Sequence, residues 1–221
     1  MKLAPDLICK VAGIQDLDEK MLALSQRYCE IVLDANRKIN LISRSGDVPH
    51  TVGRQFLLSI AALDLIPSNG GLKWLDIGSG GGFPAIPLAI FRPDISFVLV
   101  ESIAKKAFFL ERTIETLALP NVGVAQERLE PRGPSRWLAP HSFDWVSVKG
   151  VAEWEMSLRW GDSYLKPLGC LLTYKPILIR AAESRVLEKY SFKMLSSKIL
   201  IDKLPEAGLH IFVVRKCDGV K

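Results

Sequence analysis

Two hydrophobic rhythms run along the chain. Between residues 17 and 39, Leu17, Met21, Leu24, Tyr28, Ile31 and Ala35 recur at steps of three and four, while Glu30, Asp34 and Lys38 fall off that line. Such spacing lays an apolar stripe along one face of an amphipathic helix. The apolar run over 54–66 predicts a second helix that stops before Pro67, because the residue ahead of a proline is pushed away from helical geometry. PSNGG at 67–71 is a turn cluster and marks a new module. From there the rhythm alternates. LKWLDIG (72–78), ISFVLVE (95–101), NVGVAQE (121–127), FDWVSVKG (143–150) and GCLLTYK (169–175) read as strands. PAIPLAIF (84–91), KKAFFLERTIETLAL (105–119), a segment near 153–164 and AAESRVLEKY (181–190) read as helices between and after them. LHIFVVRK (209–216) closes the chain as a strand, with SSKILIDKL (196–204) beside it as an antiparallel edge pair. Strand–helix alternation predicts an α/β fold, a mostly parallel sheet covered on both faces. The expected organisation is an N-terminal helical extension over 1–66 and a catalytic domain over 67–221, forming one compact unit.

Composition narrows the function class without changing this picture. No apolar run reaches the roughly 18 residues of a membrane span, and the N-terminal twenty residues carry acids early and lack a signal-like apolar core. The expected location is the cytoplasm. Cys9, Cys29, Cys170 and Cys217 lie far apart, as do His50, His141 and His210, so neither a disulfide framework nor a metal site is expected. The net charge of +5 permits a polyanionic partner. The local pattern says more: in 37–54, Arg37, Lys38, Arg44 and Arg54 face only Asp47. That set is a candidate phosphate contact; a solvated loop is the plainer alternative. Trp145, Trp154 and Trp160 offer a stacking surface or, more commonly at such spacing, core.

The chemistry concentrates in LKWLDIGSGGGFPAIPLAI, residues 72–90. Open parallel sheets bind ligands at the carboxyl ends of their strands, and Asp76, Gly78, Gly80 and Gly82 stand at the end of the first one. A triphosphate loop requires a lysine after the glycines, and none is present. A dinucleotide loop favours a third small residue where this chain has Phe83, which weakens the NAD or FAD reading and leaves it open. S-adenosylmethionine carries an amine and a carboxylate and no phosphate. Its loop joins backbone donors to an acid, and Asp76 supplies the acid. Glu101 closes the second strand 19 residues after Gly82, where a carboxylate accepts from both ribose hydroxyls.

WLDIGSGGGFPAIPLAIFRPD resembles the cofactor loop of the bacterial RsmG (GidB) family, 7-methylguanosine methyltransferases of small-subunit ribosomal RNA. NLISR (40–44), VESIAKKAFFLE (100–111), VAQERLE (124–130) and FDWVSVKG (143–150) resemble that family in the same order. The resemblance implies a Rossmann-like, seven-stranded S-adenosylmethionine-dependent methyltransferase sheet with an N-terminal helical extension. It implies methylation of guanine N7 in the 530 loop of 16S rRNA, with the small ribosomal subunit or its RNA as partner. The sequence does not give the oligomeric state, and a monomer is the favoured expectation. The resemblance places Phe83 and Lys149 beside the cofactor, and Leu129 and Glu130 in the adenine pocket. The chain also departs from the family. Gln55 and Leu58 stand where a His and an Asp are usual, Val148-Lys149-Gly150 where Ser-Arg-Ala is usual, and Lys175-Pro176 where Lys-Gly is usual.

Guanine N7 has a lone pair and no proton to lose, so a general base is not required. Positioning and donors to O6 are what help. Lys149 and Lys175, at the ends of neighbouring strands, are the candidate catalytic donors, each with a solvent or carboxylate contact as the plainer reading. An Asn/Asp-Pro-Pro-aromatic loop for exocyclic amines is absent after the fourth strand, and neither Cys170 nor Cys217 lies in a loop suited to nucleophilic attack. Another RNA, a small molecule, or RNA binding without catalysis remain the competing acceptor readings.

Overall fold

A computed structural model gives the architecture. It describes residues 3–43, 46–130, 135–150, 153–175, 181–199 and 210–217. Strands β1 (Lys73–Ile77), β2 (Ser96–Glu101), β3 (Val122–Gln126), β4 (Phe143–Val148), β5 (Leu165–Lys175), β6 (Phe192–Ile199) and β7 (His210–Lys216) form one sheet in the order β3-β2-β1-β4-β5-β7-β6. The pairs from β3 to β5 are parallel, and β7 runs antiparallel to both β5 and β6. The expected seven-stranded sheet with an antiparallel edge pair is therefore present. The chain steps outward from β1 to β3 and then returns to place β4 on the other side of β1. That reversal opens a crevice above the carboxyl ends of β1 and β4.

Helices α1 (Pro5–Ala12), α2 (Glu19–Asn36), α3 (Val48–Ile60), α4 (Ala85–Phe91) and α5 (Ala104–Leu117) share one core with Trp74, Trp145, Leu172 and Tyr174 of the sheet. Helices α6 (Trp154–Tyr164) and α7 (Ala181–Lys189) cover the other face, over Leu75, Val146, Leu171 and Phe212. Alternation along each strand sends odd and even residues to these two cores. Trp74 and Trp145 are register partners and stack at 5.0 Å between ring centroids. Trp145 and Trp154 are buried, so they pack the interior and present no stacking surface for RNA.

The predicted helix over 17–39 is α2, with the Asp18 carboxylate accepting from the Lys20 N–H at its start. Its apolar stripe packs as the spacing implies: Tyr28 is fully buried, and Leu17, Met21, Leu24, Ile31 and Ala35 pack against the same core. The buried Asn36 ends it and accepts from the N–H groups of Leu41 and Ile42. The second helix needs correction. It spans Val48–Ile60 rather than 54–66, and Leu63–Leu65 form a single 3-10 turn. Asp47 accepts from the His50 N–H and Pro49 occupies the first turn, a start signal that the apolar run alone did not show. Helix α1 was not predicted; it buries Ile8, Val11 and Ala12 and ends at Gly13. Strand β5 begins at Leu165, four residues before the expected start at Gly169, and β6 begins at Phe192, four before Ser196. Residues 200–204 of the expected β6 segment lie outside the described residues.

Replacing the α3 cap tests this correction. Asp47→Ala is expected to destabilise the protein by about 1 kcal/mol, read as a lower urea midpoint with an unchanged slope.

Candidate active site

Strand β1 hands over to α4 through Gly78-Ser79-Gly80-Gly81-Gly82-Phe83-Pro84. The N–H groups of Gly78 and Ser79 both donate to the Val100 carbonyl, which folds the loop back toward β2. Gly82 has φ +92°, and a Cβ there would meet Ile86 Cδ1 at 2.5 Å and the Tyr28 hydroxyl at 3.1 Å. The positive φ calls for glycine, and a side chain here would also have to displace the end of Ile86. Gly80, at φ +54°, is different: the nearest atom to an added Cβ is the Gly78 carbonyl oxygen at 3.8 Å, so its outer side is open. The helical extension holds this loop from behind. The Tyr28 hydroxyl donates to the Gly81 carbonyl at 2.7 Å, and its ring meets Phe83 edge-on. Leu41 packs against Gly81.

Glu101 is buried at the end of β2. One carboxylate oxygen accepts from the Gly80 N–H at 3.0 Å and the other from the Ile103 N–H at 2.8 Å. The second of these oxygens, Oε1, also accepts from the Ser102 hydroxyl at 3.4 Å, a bond long enough to yield to a ligand, and Oε2 keeps lone-pair capacity for a further donor. Beside it lies a cleft of about 770 Å³, lined by Ile77, Gly78, Val100, Leu129, Met156 and Trp160 among others. Leu129 is buried in its wall, and Glu130 is exposed at its edge. Met156, Arg159 and Trp160 of α6, and Arg128 after β3, also line it. None of these was singled out from the sequence as a cofactor contact. The α6 residues meet the β1–β3 strand ends only through the crossover, a placement that local pattern does not carry. On the rim, Glu155 accepts from Arg159, Lys189 and Tyr190, and this holds its carboxyl at about 2.

Across the loop lies a second cluster. One Asp76 oxygen accepts from Ser147, whose hydroxyl in turn accepts from the Trp74 indole N–H at 2.8 Å. The other Asp76 oxygen, Oδ2, is buried without a hydrogen-bond partner among the described residues. Burial pushes the Asp76 carboxyl up to about 6, with Ser147 and Lys149 pulling against it. The Lys149 ammonium is enclosed and unpartnered too, although its stem is partly exposed. It lies 5.4 Å from the Phe83 ring centroid and 5.1 Å from that of Tyr174. Burial brings it down to about 7; Asp76 pulls it up and Arg54 pushes it further down. A bare carboxylate oxygen and a bare ammonium are costly to leave buried. Together with the open side of Gly80 and the adjoining cleft, whose walls are both apolar and charged, they match a nucleoside joined to an amino acid, with one complementary charge for each end of the zwitterion.

The structure thus brings Asp76, Gly78, Gly80, Gly82, Phe83, Glu101 and Lys149 around one loop, with Leu129 and Glu130 on the adjoining cleft. Lys175 ends β5, next to β4, and its side chain lies outside the described residues. Arg37 is exposed at the end of α2, within 3.8 Å of Asp34, and Lys38 is exposed beside it. Arg54 is half-buried on α3, close enough for its charge to act on Lys149. Arg44 lies outside the described residues.

The sheet order and the glycine crevice define the fold of S-adenosylmethionine-dependent methyltransferases. A solved SAM-dependent methyltransferase from Aquifex aeolicus superposes with a TM-score of 0.54 at 16% identity, over 72% of this chain and 89% of that one. Residues 21–201 match the GidB family, described as rRNA small subunit methyltransferase G, and the chain belongs to that family. It is 36% identical over 160 residues to the ribosomal RNA small subunit methyltransferase G of Chlorobium limicola, covering 72% of this chain and 70% of the relative. With the protein of the same name from Pelotomaculum thermopropionicum it shares 31% over 207 residues, covering 90% and 84%. The protein is a methyltransferase, and S-adenosylmethionine is its cofactor.

Two outcomes test the site's physics. Gly82→Ala combines a strained φ with the Ile86 collision and is expected to cost 1–3 kcal/mol or more, seen as a lower thermal midpoint; an unchanged midpoint would show that the loop yields freely. Lys149 has a folded-state value depressed from 10.5 to about 7. Its contribution to stability is therefore present above 10.5 and lost as pH falls toward 7. The parent protein should gain stability between pH 7 and pH 9 in urea titrations, and Lys149→Met should lack that part of the rise.

Proposed function

We propose that the protein transfers the methyl group of S-adenosylmethionine to guanine N7 in the 530 loop of 16S rRNA. The observation that carries the site assignment is the bare Asp76 carboxylate oxygen and the bare Lys149 ammonium near a cleft of about 770 Å³ with both apolar and charged walls. Membership of the small-subunit rRNA methyltransferase family supports the acceptor.

In this reading Asp76 receives the amine of the methionine end and Lys149 its carboxylate. Gly78 and Gly80 let the ligand approach the backbone, and Gly82 shapes the turn beneath. Phe83 packs against the methionine end. Glu101 accepts from the ribose hydroxyls, held in aim by the Gly80 and Ile103 N–H groups. Leu129 and Glu130 border the adenine. The bound cofactor supplies an electrophilic sulfonium methyl. The chain's share of the work is to fix the two reactants in line, exclude water, and offset the positive charge that grows on the guanine ring. No residue has to take a proton, because N7 has none. Lys175, at the end of the strand next to β4, is assigned to guanine O6 as the second cationic donor.

Arg37, Lys38, Arg44 and Arg54 are assigned to phosphates of the RNA, positioning it without reading its sequence. The extension over 1–66 and the domain over 67–221 work as one unit, since Tyr28 of the extension holds the cofactor loop. The place of action is the cytoplasm, where ribosomal subunits are assembled, and the enzyme acts as a monomer. Among the described residues no helix is long and apolar enough to cross a membrane.

One observation favours a second acceptor. Leu58, standing where the family usually carries Asp, is fully buried in the core and offers no polar contact. That change, with Gln55 and Lys149, suits a different site in RNA.

The test is transfer of radiolabel from S-adenosylmethionine to small-subunit particles lacking the modification, followed by chain scission at N7-methylated guanines. A single cut in the 530 loop is expected. Label elsewhere in RNA would support the second acceptor, and binding of the cofactor with no label in any RNA would overturn both.

A further inference from the structure

Three polar groups without partners lie on adjacent strand ends, and the proposed function uses only two of them. Register pairs Asp76 with Ser147 and Val148 with Thr173. The Thr173 hydroxyl donates to the Val148 carbonyl at 3.0 Å and pins the ends of β4 and β5 together. Alternation then sends Asp76, Lys149 and Tyr174 to the same face of the sheet, under the helical extension. The Tyr174 ring is buried against the Lys149 ammonium, yet its hydroxyl has no hydrogen-bond partner among the described residues. Buried hydroxyls are almost always bonded. One that is not, beside an unpaired ammonium and an unpaired carboxylate oxygen, points to a ligand that supplies the missing acceptors.

We propose that Tyr174 is a cofactor-binding residue, its hydroxyl donating to the same carboxylate of the methionine end that the Lys149 ammonium neutralises. The inference rests on the proposed cofactor site. The chemistry is a division of labour. A guanidinium offers a carboxylate two parallel N–H donors from one side chain, and an ammonium is a point charge without that fork. Here Lys149 stands where an arginine is usual. The pair of Lys149 and Tyr174 restores two donors from two strands, one charged and one neutral. Burial raises the Tyr174 hydroxyl further above its ordinary value, with Asp76 acting in the same direction, so it stays a donor at any physiological pH. The ring also faces the ammonium, holding Lys149 in place by a cation–π contact.

The experiment is calorimetric titration of parent and Tyr174→Phe with two ligands, S-adenosylhomocysteine and 5′-methylthioadenosine. The second keeps the nucleoside and lacks the amino-acid end. Tyr174→Phe is expected to weaken S-adenosylhomocysteine about tenfold or more, the scale of a lost hydrogen bond to a charged group, and to leave methylthioadenosine unchanged. Equal losses for both ligands, or no loss for either, would overturn the role. Failure of the parent to bind either ligand would instead overturn the cofactor site itself. A second variant guards against a folding defect. Lys149→Arg in the Tyr174→Phe background restores a two-donor fork, and recovery of S-adenosylhomocysteine affinity is expected; no recovery in a folded double variant contradicts the two-donor account.

Discussion

A carboxylate buried at the end of the central strand sets the terms for the rest of the structure. Asp76 is held on one side by a chain of hydrogen bonds through Ser147 to Trp74, and its other oxygen is left bare. Desolvating such a group is expensive. The surroundings offset part of that cost, first through the hydrogen bonds of the neighbouring serines and then, at a distance, through the Lys149 charge. Lys149 carries the mirror-image burden, enclosed between two aromatic rings. A pair of opposite charges that are close but not touching is poorly stabilised alone and well matched to a zwitterion placed between them. In the proposed function, the free protein thus holds in advance the polarity that the methionine end of the cofactor requires, which is the sense in which such a site is preorganised.

The glycine loop that frames this pair is not self-supporting. Its outer edge is tied to β2 through Val100 and Glu101, and its inner edge to α2 through Tyr28. Leu41, positioned by the Asn36 side chain, presses on the same loop. The segment that carries Arg37 and Lys38 is therefore packed onto the glycine loop through Tyr28 and Leu41. In the proposed function, RNA held by the extension and cofactor held by the sheet meet at one rigid junction. Separation of the two regions would cost the loop its floor.

Much of this was legible in the sequence, and the failures have physical causes. Strongly alternating segments gave β1 to β4 nearly to the residue, and the acid–glycine spacing pointed to Asp76 and Glu101, which the structure places on β1 and β2 around one loop. The start of α3 was missed because it is set by a cap and a proline ahead of the apolar run. Helix α1 is short and draws its stability from packing on α3, which periodicity does not report. The α6 wall of the cleft was missed because Met156, Arg159 and Trp160 reach it only through the parallel crossover. Tyr174 was invisible for another reason. Inside GCLLTYK it reads as one more strand aromatic, and its significance appears only when the hydroxyl is seen to lack a partner beside Lys149.

A crystal structure of the protein with S-adenosylhomocysteine bound tests the central claim most directly. The account predicts the amine of the ligand against Asp76 Oδ2, its carboxylate against the Lys149 ammonium, the ribose on Glu101 and the adenine beside Leu129. A ligand seated elsewhere, or one that leaves Asp76 and Lys149 still unpaired, would contradict it.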